Sequence, residues 1–211
     1  MTEEKVLNLD ISTKTGWSLM LSSDSELRLI EYGQYKAIVE PEGQYPVNYV
    51  DWAYLCFENI LKLINKFTPD ILVIEETCAG SKNVYSQKIL EWTHFLLAKF
   101  IKETNIRVRY LLTGQWRTLV GCKMTKEESA HNKMVKEYKK RNKVKIAYDD
   151  SGKRIGKLTK KHINIRRANE IFSKFLSEPL RKKDEDTADS LLLGAAYHFQ
   201  RMEYERRKSL G

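Results

Sequence analysis

Val6-Leu7-Asn8-Leu9-Asp10-Ile11-Ser12-Thr13-Lys14-Thr15-Gly16-Trp17 is the stretch whose reading decides the fold. Residues 6–9 alternate, Val6 and Asn8 against Leu7 and Leu9, which is the period of a strand, and the strand ends on Asp10. Residues 12–16 are turn-prone, and a second apolar stretch follows at 17–21. Polar residues 22–26 make another turn before a third strand at 27–35. The expectation is an antiparallel meander of three strands.

Further along, Pro41, Gly43 and Pro46 mark a loop. Val50, Ala53, Phe57, Ile60, Leu61 and Ile64 then fall at helical spacing, and Thr68-Pro69-Asp70 stops that helix. Ile71-Leu72-Val73-Ile74 is a continuous apolar run, as expected of a strand covered on both faces. It ends in Glu75-Glu76. A long helix is predicted over 83–103. Its apolar set (Ile89, Leu90, Trp92, Phe95, Leu96, Leu97, Phe100, Ile101) spreads over more than half the circumference, wider than one packed face requires. That breadth predicts packing on the sheet and on something else, such as a second subunit. A strand at 108–112, a short helix at 114–120, a helix through Ile163, Ile171 and Phe175, and a last helix from near Asp184 complete the pattern. The order predicts an α/β architecture, a mixed sheet with helices on both faces.

The chain has 211 residues, 42% of them hydrophobic, enough for one sizeable core but tight for two. A single domain over 1–211 is expected. The net charge of +9 makes polyanions the natural partners. Cys56, Cys78 and Cys122 are far apart and odd in number, which argues for reduced thiols over a disulfide framework or a zinc knuckle. The polar, acidic start does not resemble a signal peptide, and no apolar run approaches the roughly 20 residues needed to span a bilayer. A cytoplasmic location and no membrane are expected.

The chemistry rests on acids. Asp10 and Glu75 or Glu76 end strands, where an unpaired carboxylate costs several kcal/mol unless solvated, paired or metal-bound. Asp186 and Asp189 are three apart on a helix and so share a face. Acids at strand ends and on one helix can converge on a crevice edge. Such a cluster repels itself unless a cation neutralises it, and hard oxygen ligands suit Mg²⁺, with Mn²⁺ as substitute. Two such ions about 3.5–4 Å apart would serve phosphodiester cleavage.

Leu7-Asn8-Leu9-Asp10-Ile11-Ser12 with Thr15-Gly16-Trp17 resembles the opening strand and turn of RuvC-type Holliday-junction resolvases, in the RNase H-like superfamily. Pro69-Asp70-Ile71-Leu72-Val73-Ile74-Glu75 resembles that family's second motif, and Asp186-Thr187-Ala188-Asp189-Ser190-Leu191 its third. Thr118-Leu119-Val120-Gly121, followed later by Lys160-Lys161, is similar to the stretch between. The resemblance covers nearly the whole chain in order. It implies an RNase H-like mixed five-stranded sheet, three antiparallel strands then parallel ones, flanked by helices. It also implies a dimeric, Mg²⁺-dependent endonuclease that nicks four-way DNA symmetrically and leaves 5′-phosphates. Its register selects Glu75 over Glu76, giving Asp10, Glu75, Asp186 and Asp189 as metal ligands, with a catalytic lysine at Lys161 or Lys160. The candidate DNA contacts are Ser12, Lys14, Lys82, Tyr85, Arg117, Lys123, Lys126, Lys160 and Lys161. The sequence departs from the family at Ile11-Ser12 (usually Pro-Gly), at Cys78 (usually aromatic) and at Trp116-Arg117 (usually including lysine). A small, lysine- and tyrosine-rich member with a basic insert suits a bacteriophage source.

That insert, about 125–157, lies in the most basic part of the chain. Residues 123–167 hold sixteen Lys plus Arg against five acids, a net of +11, which leaves the rest at −2. It is expected to contain an exposed helix or partly disordered arm at 127–145 whose cations contact phosphates, with Tyr138 and Tyr148 packing locally or stacking on bases. Two rival readings share the opening strand and turn: an actin- or sugar-kinase-like phosphotransferase, which normally repeats its core in two domains, and a non-catalytic module that binds branched DNA.

Overall fold

The computed structural model describes residues 3–37, 44–76, 84–148, 151–152 and 154–210. Three strands, β1 (Glu4–Asp10), β2 (Lys14–Ser22) and β3 (Leu27–Lys36), form the expected meander. Helix α1 (Val47–Phe67) leads to β4 (Ile71–Glu75), and α2 (Val84–Thr104) leads to β5 (Arg107–Leu111). After α3 (Thr113–Leu119) comes α4 (Lys126–Arg141), then a small hairpin of β6 (Ala147–Tyr148) and β7 (Arg154–Ile155). The chain closes with α5 (Lys160–Phe172), a 3-10 turn at Lys182–Asp184, and α6 (Glu185–Leu210). The main sheet has five strands in the order β3-β2-β1-β4-β5, with β4 parallel to both β1 and β5.

Strand alternation sorts the core into two layers. Leu7, Leu9, Trp17, Leu19, Leu72 and Ile74 point to one face and pack with Ile60, Leu63, Ile64 and Leu97 of α1 and α2. Val6, Met20, Ile71 and Val73 point to the other face and pack under Ala188, Leu191, Leu192 and Ala195 of α6. Helices therefore cover both faces. The continuous apolar run of β4 reflects this double burial, since all of Ile71–Ile74 are buried.

The α6 face is polar at its centre and very close. The buried Asn8 amide donates to the Ser18 backbone carbonyl and hydroxyl, each at 3.1 Å, and the Ser18 hydroxyl donates to the Ser190 carbonyl at 3.0 Å. Two glycines permit the approach. A Cβ on Gly16 would overlap the Asp186 carbonyl, and one on Gly194 would meet Met20 Sδ at 2.5 Å and the Asn8 amide at 2.6 Å. Glycine at these positions lets α6 lie directly on β1 and β2, which sets how far the acids of α6 stand from those of the strands.

Of the two alternatives for residues 127–145, an exposed helix or a partly disordered arm, the structure shows the helix, mostly exposed and capped, with a two-stranded hairpin after it. Thr125 accepts from the Glu128 amide at 3.1 Å, and the Glu128 carboxylate accepts from the Thr125 amide at 2.8 Å. This reciprocal pair satisfies two amide donors that the helix start would otherwise leave open. Among the described residues, no helix is long and apolar enough to cross a membrane. Cys56 is buried and Cys122 half-buried, both as free thiols, while Cys78 lies outside the described residues.

Candidate active site

Backbone register places the first two acids. Leu9 pairs with Ile74 across β1 and β4, so Asp10 and Glu75 come next on adjacent parallel strands. Both follow the parity of Asn8 and Val73, which turns them toward α6. Glu76 falls on the opposite parity and is exposed. The choice of Glu75 over Glu76 thus has a physical cause in strand alternation. From α6, Asp189 completes the group: one carboxylate oxygen from each of Asp10, Glu75 and Asp189 lies within 4.8 Å of the others. These are the carboxyl ends of parallel strands, where an open α/β sheet leaves a crevice.

Asp186 stands beside this trio, one turn earlier on α6. Its Oδ2 lies 3.6 Å from Lys14 Nζ, and Lys14 also donates to the Lys183 carbonyl at 2.6 Å. Asp186 remains near enough to help raise the Asp10 pKa.

The electrostatics are those of a crowded anionic pocket. Burial raises the Asp10 carboxyl well above the ordinary carboxylate range, the charges of Asp189, Glu75 and Asp186 raise it further, and Lys161 opposes them. Asp189 is pushed up to about 7, first by burial and then by Glu75, against the hydrogen bond from Asn164 and the charge of Arg117. Burial also raises Glu75, opposed by the Thr113 hydroxyl and by Arg117. Asp186 is raised by burial, with Lys14 working against it. Burial among like charges disfavours the ionised form of each of these groups, a penalty that a bound cation would relieve.

Several partners fix the acids in place. The Thr113 hydroxyl donates to Glu75 Oε1 from the start of α3. Asn164 of α5 donates to Asp189 Oδ1 at 2.7 Å, while Arg117 Nη2 lies 3.9 Å from Asp189 Oδ2. Arg117 also lies over the buried Trp116 ring, 4.9 Å from its centre. Among the described residues, Arg117 Nε and Asn164 Oδ1 are buried without a hydrogen-bond partner. Neither Thr113 nor Asn164 was singled out from sequence. Each is one polar residue on a helix, and its acid partner lies 38 or 25 positions away.

The remaining candidates scatter around this core. Lys161, at the start of α5, donates to Glu185. Burial lowers its pKa, but the Glu185 contact and the charges of Asp186 and Asp189 outweigh that and raise it. Lys160 is exposed. Ser12 closes the turn after β1, its hydroxyl accepting from the Lys14 amide at 3.0 Å. Tyr85 packs against Tyr49 at 4.5 Å between ring centres. Lys123 and Lys126 are exposed near the start of α4, and Lys82 lies outside the described residues. His198 is buried and bonded to Ser22 at 3.0 Å, consistent with a core residue. His162 caps α5 through Thr159.

Neither a family model nor a curated relative matches the sequence. Solved structures do match. Thermus thermophilus RuvC aligns at a TM-score of 0.59 and 14% identity, over 94% of this chain and 96% of that one. The same organism's RuvC in complex with a Holliday junction substrate aligns at 0.58 and 14%, over 92% and 93%. The yeast mitochondrial Holliday junction resolvase Ydc2 aligns at 0.51 and 16%, over 96% and 83%.

Proposed function

We propose that this chain, which carries the RuvC-type, RNase H-like fold, is a structure-selective DNA endonuclease that resolves four-way or other branched DNA. The observation that carries the reading is the trio Asp10, Glu75 and Asp189, packed within 4.8 Å at the crevice of that fold. Three repelling carboxylates with raised pKa values fit a hard divalent cation, Mg²⁺ or Mn²⁺. Asp10, Glu75 and Asp189 would hold it, with Asp186 at the margin. A cation bound there would supply activation of a water and charge stabilisation at the leaving oxygen of a phosphodiester, with a second ion sharing that work.

The chain's own residues do the rest. Asn164 and Thr113 orient the carboxylates, as partners of metal ligands commonly do. Arg117 offers a guanidinium beside Asp189, placed to fork onto a phosphate. Lys161, poised at the start of α5, would stabilise charge that develops on the scissile phosphate. Ser12, Lys14, Tyr85 and Lys160 would contact the DNA, as would Lys82, which lies outside the described residues.

Paired nicks with 5′-phosphate ends call for two such sites on a two-fold axis, and we assign the dimer to α2. Support comes from an apolar groove of about 490 Å³ between α1 and α2, lined by Val50, Tyr54, Trp92, Phe95 and Leu96. Phe95 is 70% exposed at its edge, an arrangement that burial against a second copy would relieve. Phe95→Glu should convert the dimer to monomer in light scattering. A wild-type chain that stays monomeric with and without junction contradicts the assignment. The phosphotransferase alternative needs a second core, and the described residues form one five-stranded sheet and a two-stranded hairpin.

The test is a panel of synthetic four-way junction, Y-fork and linear duplex, each with Mg²⁺, Mn²⁺ or EDTA. The expected result is paired nicking of the junction with either metal, little cutting of duplex and none in EDTA. Nucleotide hydrolysis without DNA cleavage would overturn the reading.

A further inference from the structure

The arm formed by α4 and its hairpin has an asymmetry that fold stability does not explain. Glu128, His131, Asn132, Val135 and Lys139 form the inward side of α4, and of these only Val135 is fully buried. Lys126, Lys133, Lys136 and Lys140 are all exposed. At about 100° per residue these four fall within about 80° of the helix circumference. They run along about 21 Å of it, at 1.5 Å rise per residue. The one acid on that side with a described ion pair is Glu137, 4.0 Å from Lys133 and well exposed, a contact worth little in water. Among the described residues, no ion pair involves Lys126, Lys136 or Lys140.

The stripe is also held in a fixed orientation. Arg166 of α5 donates to Glu128 at 2.8 Å and to the Lys123 carbonyl at 2.9 Å. The Asn132 side chain bonds the Leu158 backbone twice, at 2.9 and 2.7 Å, and His131 contacts the Gly156 carbonyl at 3.0 Å. Those ties lead straight into α5, whose Asn164 holds Asp189. A merely solvated face needs no such anchoring.

We propose that the α4 lysine stripe is a second phosphate-binding surface, one that holds a duplex arm of the branched DNA at a fixed offset from the crevice. Its length matches about six base pairs at 3.4 Å each. Lysines at this spacing meet backbone phosphates, which position the substrate without reading its sequence. The proposal rests on the nuclease reading and adds to it where the uncut part of the substrate lies.

The test measures binding of a synthetic four-way junction between 50 and 200 mM salt in EDTA, for wild type, K133Q/K136Q/K140Q and K133R/K136R/K140R. Each phosphate contact contributes about 0.9 to the slope of log affinity against log salt, so the Gln variant should lose between about 2 and 3 from that slope. It should bind at least about tenfold more weakly at the low-salt end. The Arg variant should keep the wild-type slope, which separates charge from any loss of folding. A Gln variant with an unchanged slope overturns the stripe while leaving the nuclease reading standing. A wild type that binds no branched DNA overturns both.

Discussion

In the crevice, three half-buried carboxylates are pressed within 4.8 Å, with Glu75 held by Thr113 of α3 and Asp189 by Asn164 of α5. On α4, four lysines of one sign spread along about 21 Å of exposed surface, over a helix with one fully buried side chain. The two regions carry opposite charge and opposite engineering. Charge in the crevice is held against its own repulsion by strand register and close packing. On the proposed reading, loss or displacement of any one of these acids would disturb the shared cation site. Charge on the arm sits in water, so on the proposed reading each lysine would contribute a little to binding and the contributions would add. Chemistry belongs where geometry is over-determined, and handling of a long polyanion belongs where it is not.

The sharpest break of this contrast is Glu75→Gln. It keeps the Thr113 contact but removes one charge from the trio, and should lower cleavage on the order of a thousandfold, since metal-supplied charge stabilisation is worth several kcal/mol. Neutralising one α4 lysine should cost only a few-fold in affinity at low salt. Comparable losses from both variants would erase the distinction between the regions.

Asn164→Ala comes next. It leaves all three acids in place but frees Asp189 to reorient, and should raise the Mg²⁺ concentration for half-maximal cleavage by about 10–100-fold. An unchanged Mg²⁺ requirement would show that Asn164 only packs.

A smaller effect concerns stability without metal. Asp189 has a folded pKa of about 7 against roughly 3.9 unfolded. The folded state therefore binds more protons between those values, and the stability this group lends at low pH is lost as pH rises through that window. In EDTA, Asp189→Asn should remove part of that loss. Its thermal midpoint should gain on wild type from pH 5 to pH 8 by the equivalent of a few kcal/mol at most, and Mg²⁺ should narrow the gap by stabilising wild type. Parallel midpoints across that range would mean the cluster is not under electrostatic stress.

Much of the crevice is legible in the sequence as acids at strand ends, with the family resemblance selecting Glu75 over Glu76 and the folded register supplying the reason in strand parity. The alternation of residues 6–9 turns Asp10 with Asn8, while the apolar run of 71–74 leaves Glu75 and Glu76 both open until the Leu9–Ile74 pairing gives Glu75 the matching parity. Asp186 and Asp189 are visible as a pair, but helical spacing alone does not say which of them reaches the strands. That depends on how closely α6 settles on β2, through Gly16 and Gly194, and only the folded chain reveals it. Lys14 shows the same limit. Its charge suggests DNA, while the structure also pairs it with Asp186. The start of the arm is also written in the sequence: Thr125-Lys126-Glu127-Glu128 has the spacing of a capping box, and α4 begins there.

The central claim, that the trio forms a cation-dependent phosphodiesterase site, is tested most directly by Asp10→Asn on a synthetic four-way junction. Cleavage in Mg²⁺ and junction affinity in EDTA are measured side by side. The account predicts that nicking disappears while affinity stays within a few-fold of wild type, because binding rests on cations elsewhere. Near-normal nicking by Asp10→Asn in Mg²⁺ would contradict it.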